Sequence, residues 1–227
     1  MSVTGFDGFA PGAAPVTSLV VVGCGGHGRE VLTIARAVAE AGGPRWHLAG
    51  FVDDRPAEEN LKRVHRLDVP YLGGVAWLRD APPETRYVIG IGDPRVRRAV
   101  AARVDGYGRP AASLVHPDAT IGPDTRYGPG FVAFPGARVT TNVVLGRHVH
   151  LNQNATVGHD CVFADFVSVN PLAAVSGDCR LGEGVLVGTT AAVLQGRRVG
   201  RDGTVGAGAC VVRDVPDGVV VKGVPAR

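Results

Sequence analysis

From Ala119 onward the apolar positions recur every six residues, a period that fits neither a helix nor simple strand alternation. Cut in sixes, the chain reads ATIGPD, TRYGPG, FVAFPG, ARVTTN, VVLGRH, VHLNQN, ATVGHD, CVFADF, VSVNPL, AAVSGD, CRLGEG, VLVGTT, AAVLQG, RRVGRD, GTVGAG, ACVVRD. These are sixteen uninterrupted hexads ending at Asp214, and the third position is Ile, Val, Leu or Phe in fourteen of them. Only Tyr127 and Ala133 depart, and Gly follows the third position in eight hexads. A short flat strand and a turn, repeated three times around a triangular coil, produce this pattern. The third-position side chain points inward and small residues admit the corners. At about 4.8 Å per stacked strand, just over five coils make a prism roughly 25 Å tall.

Residues one coil apart stack. Gly177 is therefore expected over His159, Asp178 over Asp160 over Asn142, Asn170 over Asn152, and Ser168 over His150. Cys161 and Cys179 stack as well and are expected to be free thiols, within backbone range of a disulfide. The stacked Asp160 and Asp178 carboxylates are expected to raise one of their two pKa values unless His159, an Arg or solvent relieves them.

Ahead of the repeat the period changes. Ser18 to Gly23 is an apolar run bounded by Gly and followed by Cys24-Gly25-Gly26-His27-Gly28. A helical pattern then covers Arg29 to Ala41, with Val31, Ile34, Ala35 and Val38 on one face. Strand, glycine turn and helix form the arrangement that offers backbone amides to a phosphate. A second strand, His47 to Val52, ends in Asp53-Asp54, placed to reach a ribose or base. A third, Arg86 to Ile91, leads through Gly92-Asp93-Pro94 into an Arg-rich helix over Arg95 to Val104. Gly23, Gly25 and Gly28 match the dinucleotide fingerprint, but the unit is half the size of a full dinucleotide fold. A mononucleotide or the nucleotide end of a nucleotide-sugar fits it better than NAD. A glycine turn that only packs helix on strand is the alternative.

The expected fold is thus α/β plus all-β: a tail over 1–17, a small Rossmann-like nucleotide-sugar-binding domain over 18–113, and a parallel β-helix over 114–227. The chain has 227 residues, a net charge of +3 and 33 Gly. Only Lys62 and Lys222 among 24 basic residues are Lys, and no basic run points to nucleic acid. No apolar stretch has membrane-spanning length, the tail lacks a basic n-region, and the four Cys form no C-x-x-C pair. A reducing, cytoplasmic setting is expected. A zinc site would need three converging His, and His116, His148, His150 and His159 lack the spacing.

The combination of G-C-G-G-H-G-R-E, F-V-D-D and H-P-D-A-T-I-G leading into hexads resembles the hexapeptide-repeat sugar acyltransferases. These comprise nucleotide-4-amino-sugar N-acetyltransferases and sialic-acid O-acetyltransferases. The resemblance implies a left-handed β-helix, a homotrimer, acetyl-CoA lying along the β-helix between subunits, and no metal. It implies acetyl transfer to the amino group of a nucleotide-linked sugar, with O-acetylation of a sialic-acid-type sugar as the alternative. A non-catalytic relative with a decayed site is disfavoured by the intact Asn152, His159, Asp160 and Gly177.

By the same resemblance, His159 is the general base, Asp160 orients it, Asn152 belongs to the catalytic set, and the Gly177 amide receives the oxyanion. Gly25, Gly26, His27 and Gly28 would line the acceptor site, and Asp53 and Asp54 would hold the nucleotide. Ser168 replaces a second active-site His of some relatives and would alter the acceptor pocket. Gly177, Gly188, Thr189, Gly206, Ala207 and Lys222 would meet CoA, with Arg227 near its phosphates. His148 and His150 are expected to be ordinary coil residues.

Overall fold

The computed structural model describes residues 17–44 and 46–227, so the expected tail, Thr17 apart, lies outside the described residues. Strand β1, Thr17–Val22, is an apolar run whose last four residues are buried, as a central parallel strand requires. It pairs in parallel with β2, Trp46–Val52, and with β4, Arg86–Ile89. A short β3, Tyr71–Gly73, completes a four-stranded sheet of order β3-β2-β1-β4.

Helix α1, Gly26–Glu40, starts inside the glycine loop, three residues earlier than the apolar pattern indicates, and buries Val31, Leu32, Ile34 and Ala35. The early start depends on missing side chains. A Cβ on Gly28 would lie 1.9 Å from the Gly23 carbonyl oxygen, and one on Gly90 would lie 2.4 Å from the Gly28 Cα. Two further elements carried too little pattern to be expected. Helix α2, Glu58–His65, is charged and buries only Val64; a 3-10 turn follows β3 at Val75–Arg79. Helix α3, Pro94–Asp105, is capped by Asp93, whose carboxylate accepts from the amides of Arg95 and Val96 at 2.8 and 3.0 Å.

From Leu114 to the C-terminus the chain winds around a triangular prism of three parallel sheets. The first face has seven strands, beginning at Leu114–Val115; the second has six, from Thr120–Ile121; the third has five, from Arg126–Tyr127. Register is kept as expected: His150 pairs with Ser168, Thr156 with Ala174 and Val162 with Arg180. The prism is longer than the uninterrupted hexads. Leu114–Val115 already pairs with Val132–Ala133, and Val220–Val221 pairs with Thr204–Val205 after the repeat loses two residues.

The interior uses two positions of each hexad. Third-position residues such as Val157, Val175 and Val193 are buried, and so are first-position residues Val143, Ala155, Cys161, Ala173 and Cys179. Tyr127, which breaks the third-position rule, is 44% exposed on a strand with no coil above it. The sixth position is the corner. Every one from Asp124 to Gly208 has positive φ, including Asn142, Asn154, Asp160, Asp178 and Asp202, residues that tolerate the left-handed region. Phe166, Leu172 and Thr190 hold the same conformation against their intrinsic preference.

The α/β unit sits on the first face. Leu114, Val132 and Phe134 join α1 and the sheet in one apolar cluster. Arg97 from α3 carries the polar part of this contact. It is fully buried with no carboxylate partner among the described residues and donates to the carbonyls of Ile91, Gly92, His148, Phe166 and Val167 and to Ser168 Oγ. Burial pulls its guanidinium down to about 9, so it stays charged at neutral pH. No helix among the described residues is long and apolar enough to cross a membrane.

Candidate active site

His159 occupies the turn between Thr156–Val157 on the second face and Val162–Phe163 on the third. Its Nδ1 lies 2.6 Å from Asp160 Oδ2, while Asp160 Oδ1 accepts from Asn142 Nδ2 at 2.6 Å. A Cβ on Gly177 would lie 2.6 Å from both Cε1 and Nε2 of His159, so the ring rests on the bare backbone one coil further on. The Gly177 amide donates to no group among the described residues. Half of the His159 side chain is exposed. The corner therefore presents an oriented imidazole, a carboxylate behind it and an unpaired amide, a set able to remove a proton and hold a nearby oxyanion.

Of the reliefs expected for the stacked Asp160 and Asp178 carboxylates, His159 supplies the one at Asp160. Its hydrogen bonds to His159 and Asn142 hold it below the usual value, because its two oxygens turn to these partners. Asn152 is placed differently. Each hexad advances the chain by one face, so seven residues separate Asn152 from the His159 corner within one chain. Asn152 sits between the first and second faces, where its Nδ2 donates to Val169 O and Asn170 Oδ1.

The residues expected to meet CoA share that first–second corner. Gly188 stacks on Gly206 and Ala207, Gly206 approaches the Lys222 side chain, and Thr189 O accepts from Gly208 N at 2.9 Å. Lys222 and Arg227 exchange backbone hydrogen bonds and are exposed. Gly177 lies instead on the His159 corner. Between the two corners, Thr156, Gly158, Ala174 and Ser176 of the second face line a cleft of about 320 Å³, with Arg138 one coil below at its edge.

In the α/β unit, a cleft of about 530 Å³ opens at the C-terminal ends of β1 and β2, lined by Val22, Gly23, Asp53, Asp54, Val100 and Arg103 among others. The two acids do not face it as free acceptors. Asp53 takes the amides of Cys24 and Arg55, and Asp54 takes the amide of Val75 and ion-pairs with Arg103. Their first effect is to fix the glycine loop and the cleft wall. Burial, then the Asp53 charge, pushes the Cys24 thiol up to about 12. Gly23 and Gly28 serve packing, whereas Gly25 has open space where a Cβ would be and Gly26 is exposed at the α1 N-terminus.

Ser168, expected in the acceptor pocket, is fully buried beneath Arg97 and donates to Gly92 O at 3.0 Å, so it has no surface to offer a substrate. His148 and His150 are likewise not ordinary coil residues. Both are buried against the α/β unit, and His150 Nδ1 lies 3.0 Å from His27 Nε2. Desolvation, then Arg97, pulls His27 down to about 4; desolvation, then Arg147, does the same to His148; desolvation, then Arg97, also holds His150 well below its ordinary value. The sequence signal for Arg97 is its spacing: it precedes the buried Ala101 and Val104 by four and seven residues, on one helix face. Cys161 and Cys179 are free, buried thiols in the prism interior.

A model of the PglD N-terminal domain matches residues 18–104. The acetyltransferase domain of PglB from Neisseria gonorrhoeae, solved with acetyl coenzyme A, is 33% identical with a TM-score of 0.80, over 93% of this chain and 98% of that one. PerB from Caulobacter crescentus, solved with CoA and GDP-perosamine, is 31% identical with a TM-score of 0.82, over 92% and 96%. WeeI from Acinetobacter baumannii is 25% identical with a TM-score of 0.79, over 93% and 99%. No curated protein matches the chain in sequence. The fold and these likenesses define an acyltransferase of the left-handed hexapeptide-repeat class. Within that class, the chain belongs to the sugar N-acetyltransferase family of PglB and PerB.

Proposed function

We propose that this protein transfers the acetyl group of acetyl-CoA to the amino group of a nucleotide-linked amino sugar, with His159 as general base. The observation that carries the reading is the His159–Asp160 pair lying over Gly177. The sugar amine attacks the thioester carbonyl while His159 Nε2 takes its proton. The tetrahedral oxyanion receives the Gly177 N–H. Collapse breaks the C–S bond, and the imidazolium, steadied by Asp160, returns the proton to the leaving CoA thiolate.

The cleft beside Asp53, Asp54 and Arg103 has room for a nucleoside, and the amides of Gly25 and Gly26 at the α1 N-terminus suit its phosphates. This unit packs on the first face, opposite the corner that carries His159. An acceptor held by one chain therefore reacts at His159 of another copy, which supports a homotrimer. In such an assembly the Asn152 corner, which lies on the glycine-loop side through the Gln153–Glu30 contact, faces the His159 corner of its neighbour. The residues from Gly188 to Lys222 along that first corner then flank acetyl-CoA. The free, buried thiols suit a cytoplasmic enzyme.

A thiol-release assay with acetyl-CoA and a panel of UDP-, GDP- and dTDP-linked amino sugars tests this. Turnover with one of them supports the reading. Turnover only with sialic acid or another hydroxyl acceptor replaces it with O-acetylation.

A further inference from the structure

His27 belongs to the glycine loop and His150 to the first face of the β-helix, and their rings stack with centroids 5.2 Å apart and 20° between planes. The Nε2···Nδ1 contact of 3.0 Å requires one proton between two nitrogens, so one ring donates and the other accepts. The far side of His150 decides which. Its Nε2 is fully buried and has no partner among the described residues. A proton there would be an N–H buried without an acceptor, whereas a bare ring nitrogen loses less on burial. His150 therefore carries its proton on Nδ1 and donates it to His27 Nε2. His27, left as the acceptor at Nε2, must carry its own proton on Nδ1. That atom lies 3.8 Å from Glu30 Oε2, and the His27 side chain retains 19% of its exposure.

We propose that His150 is a positioning residue that fixes His27 as an Nδ1–H donor, and that His27 and Glu30 together bind a hydroxyl group of the acceptor sugar. A hydroxyl suits the pair because it accepts from Nδ1–H and donates to the carboxylate. A phosphate oxygen does not, since Glu30 would repel it. The gap between Nδ1 and Oε2 is too long for a direct hydrogen bond, which leaves the Nδ1–H free for such a ligand, while Glu30 Oε2 takes only a long 3.5 Å contact from Gln153 Nε2 and keeps its second oxygen. Phe134 and His150 pack against the His27 ring at centroid distances of 5.0 and 5.2 Å, so the ring is held in place. Burial and the nearby Arg97 keep both rings neutral at working pH, so the donor does not switch with the medium. The sugar assignment rests on the function proposed above; the tautomers do not.

Two measurements separate them. In long-range 1H–15N spectra of histidine-labelled protein at pH 7.5, assigned with His27→Gln and His150→Asn, both rings are expected as the Nδ1–H form. In kinetics, His150→Leu and Glu30→Gln are expected to raise KM for the amino-sugar acceptor about tenfold and leave KM for acetyl-CoA unchanged. His150→Asn, which returns an amide donor near the Nδ1 position, is expected to restore it. An Nε2-protonated His150 in an enzyme that acetylates amino sugars overturns this inference alone. So does a His150→Asn variant as impaired as His150→Leu. Correct tautomers in a protein that acetylates no amino sugar overturn the substrate reading instead.

Discussion

The His159 imidazole rests on the Cα of Gly177, one coil away, where a methyl group would stand 2.6 Å from two ring atoms. Gly177 has ordinary backbone angles, unlike the corner glycines with positive φ, so an alanine there costs the fold little. It displaces the ring instead. Gly177→Ala is expected to lower kcat by a factor on the order of 10² while the melting temperature stays within a few degrees. A variant with wild-type kcat would show that the ring does not need this seat.

The buried histidines make stability depend on pH. His27 and His148 are lowered to about 4 in the folded chain, from an ordinary 6.5. Between those values the unfolded chain binds protons that the folded chain does not. Their contribution is therefore fully present above about pH 6.5 and is lost as pH falls toward 4. At about 1.4 kcal/mol per pH unit for each group, the combined loss is on the order of several kcal/mol. Thermal melts from pH 7.5 to 4.5 should show a steep decline that His148→Asn makes shallower. A flat profile would contradict the placement of these rings.

Arg97 supplies donors to five carbonyls and one hydroxyl at the contact between the two units. Arg97→Met fills similar volume but leaves the carbonyls of Ile91, His148 and Phe166 without this donor, whereas Gly92 O keeps Ser168 and Val167 O keeps the His150 amide, and it should destabilise the protein by roughly 3–5 kcal/mol. Denaturant unfolding measures this directly, and a cost below about 1 kcal/mol would mean that water replaces the guanidinium.

If the acceptor site and His159 come from different copies, two inactive variants should complement each other. His159→Ala chains and chains with a disabled glycine loop, Gly26→Asp, are expected to be inactive alone. Unfolded together and refolded, they should regain a substantial fraction of wild-type activity. Recovery no greater than for either variant refolded alone would place the whole site within one chain.

Much of this was legible because a six-residue period fixes every stacking neighbour at once. Gly177 against His159, Asn142 against Asp160 and Asn170 against Asn152 all follow from counting coils. The same counting, applied to faces rather than coils, separates Asn152 from His159, a consequence that stacking alone does not reveal. The first-position interior residues were less visible because Ala, Cys and Val there look like corner filler. Helix α2 and β3 escaped because an eight-residue helix rich in Glu, Lys and Arg and a three-residue strand give no period to read.

The contact between the two units lay beyond local pattern. Ser168, His148 and His150 occupy outward or corner positions of the prism, where exposure is the natural expectation. They are buried only because α1 and α3 cover that face. The two-residue loss of phase after Asp214 hid the final turn in the same way: Val215 and Val221 point inward, although the six-residue count would select Asp217 and Gly223.

The central claim is that His159 is the base for acetyl transfer. Single-turnover acetylation of the preferred amino sugar, with His159→Ala beside the wild type and Asp160→Asn between them, tests it most directly. The account predicts a rate lower by about 10² or more for His159→Ala, an intermediate loss for Asp160→Asn, and unchanged binding of acetyl-CoA. Wild-type rates in His159→Ala would contradict it.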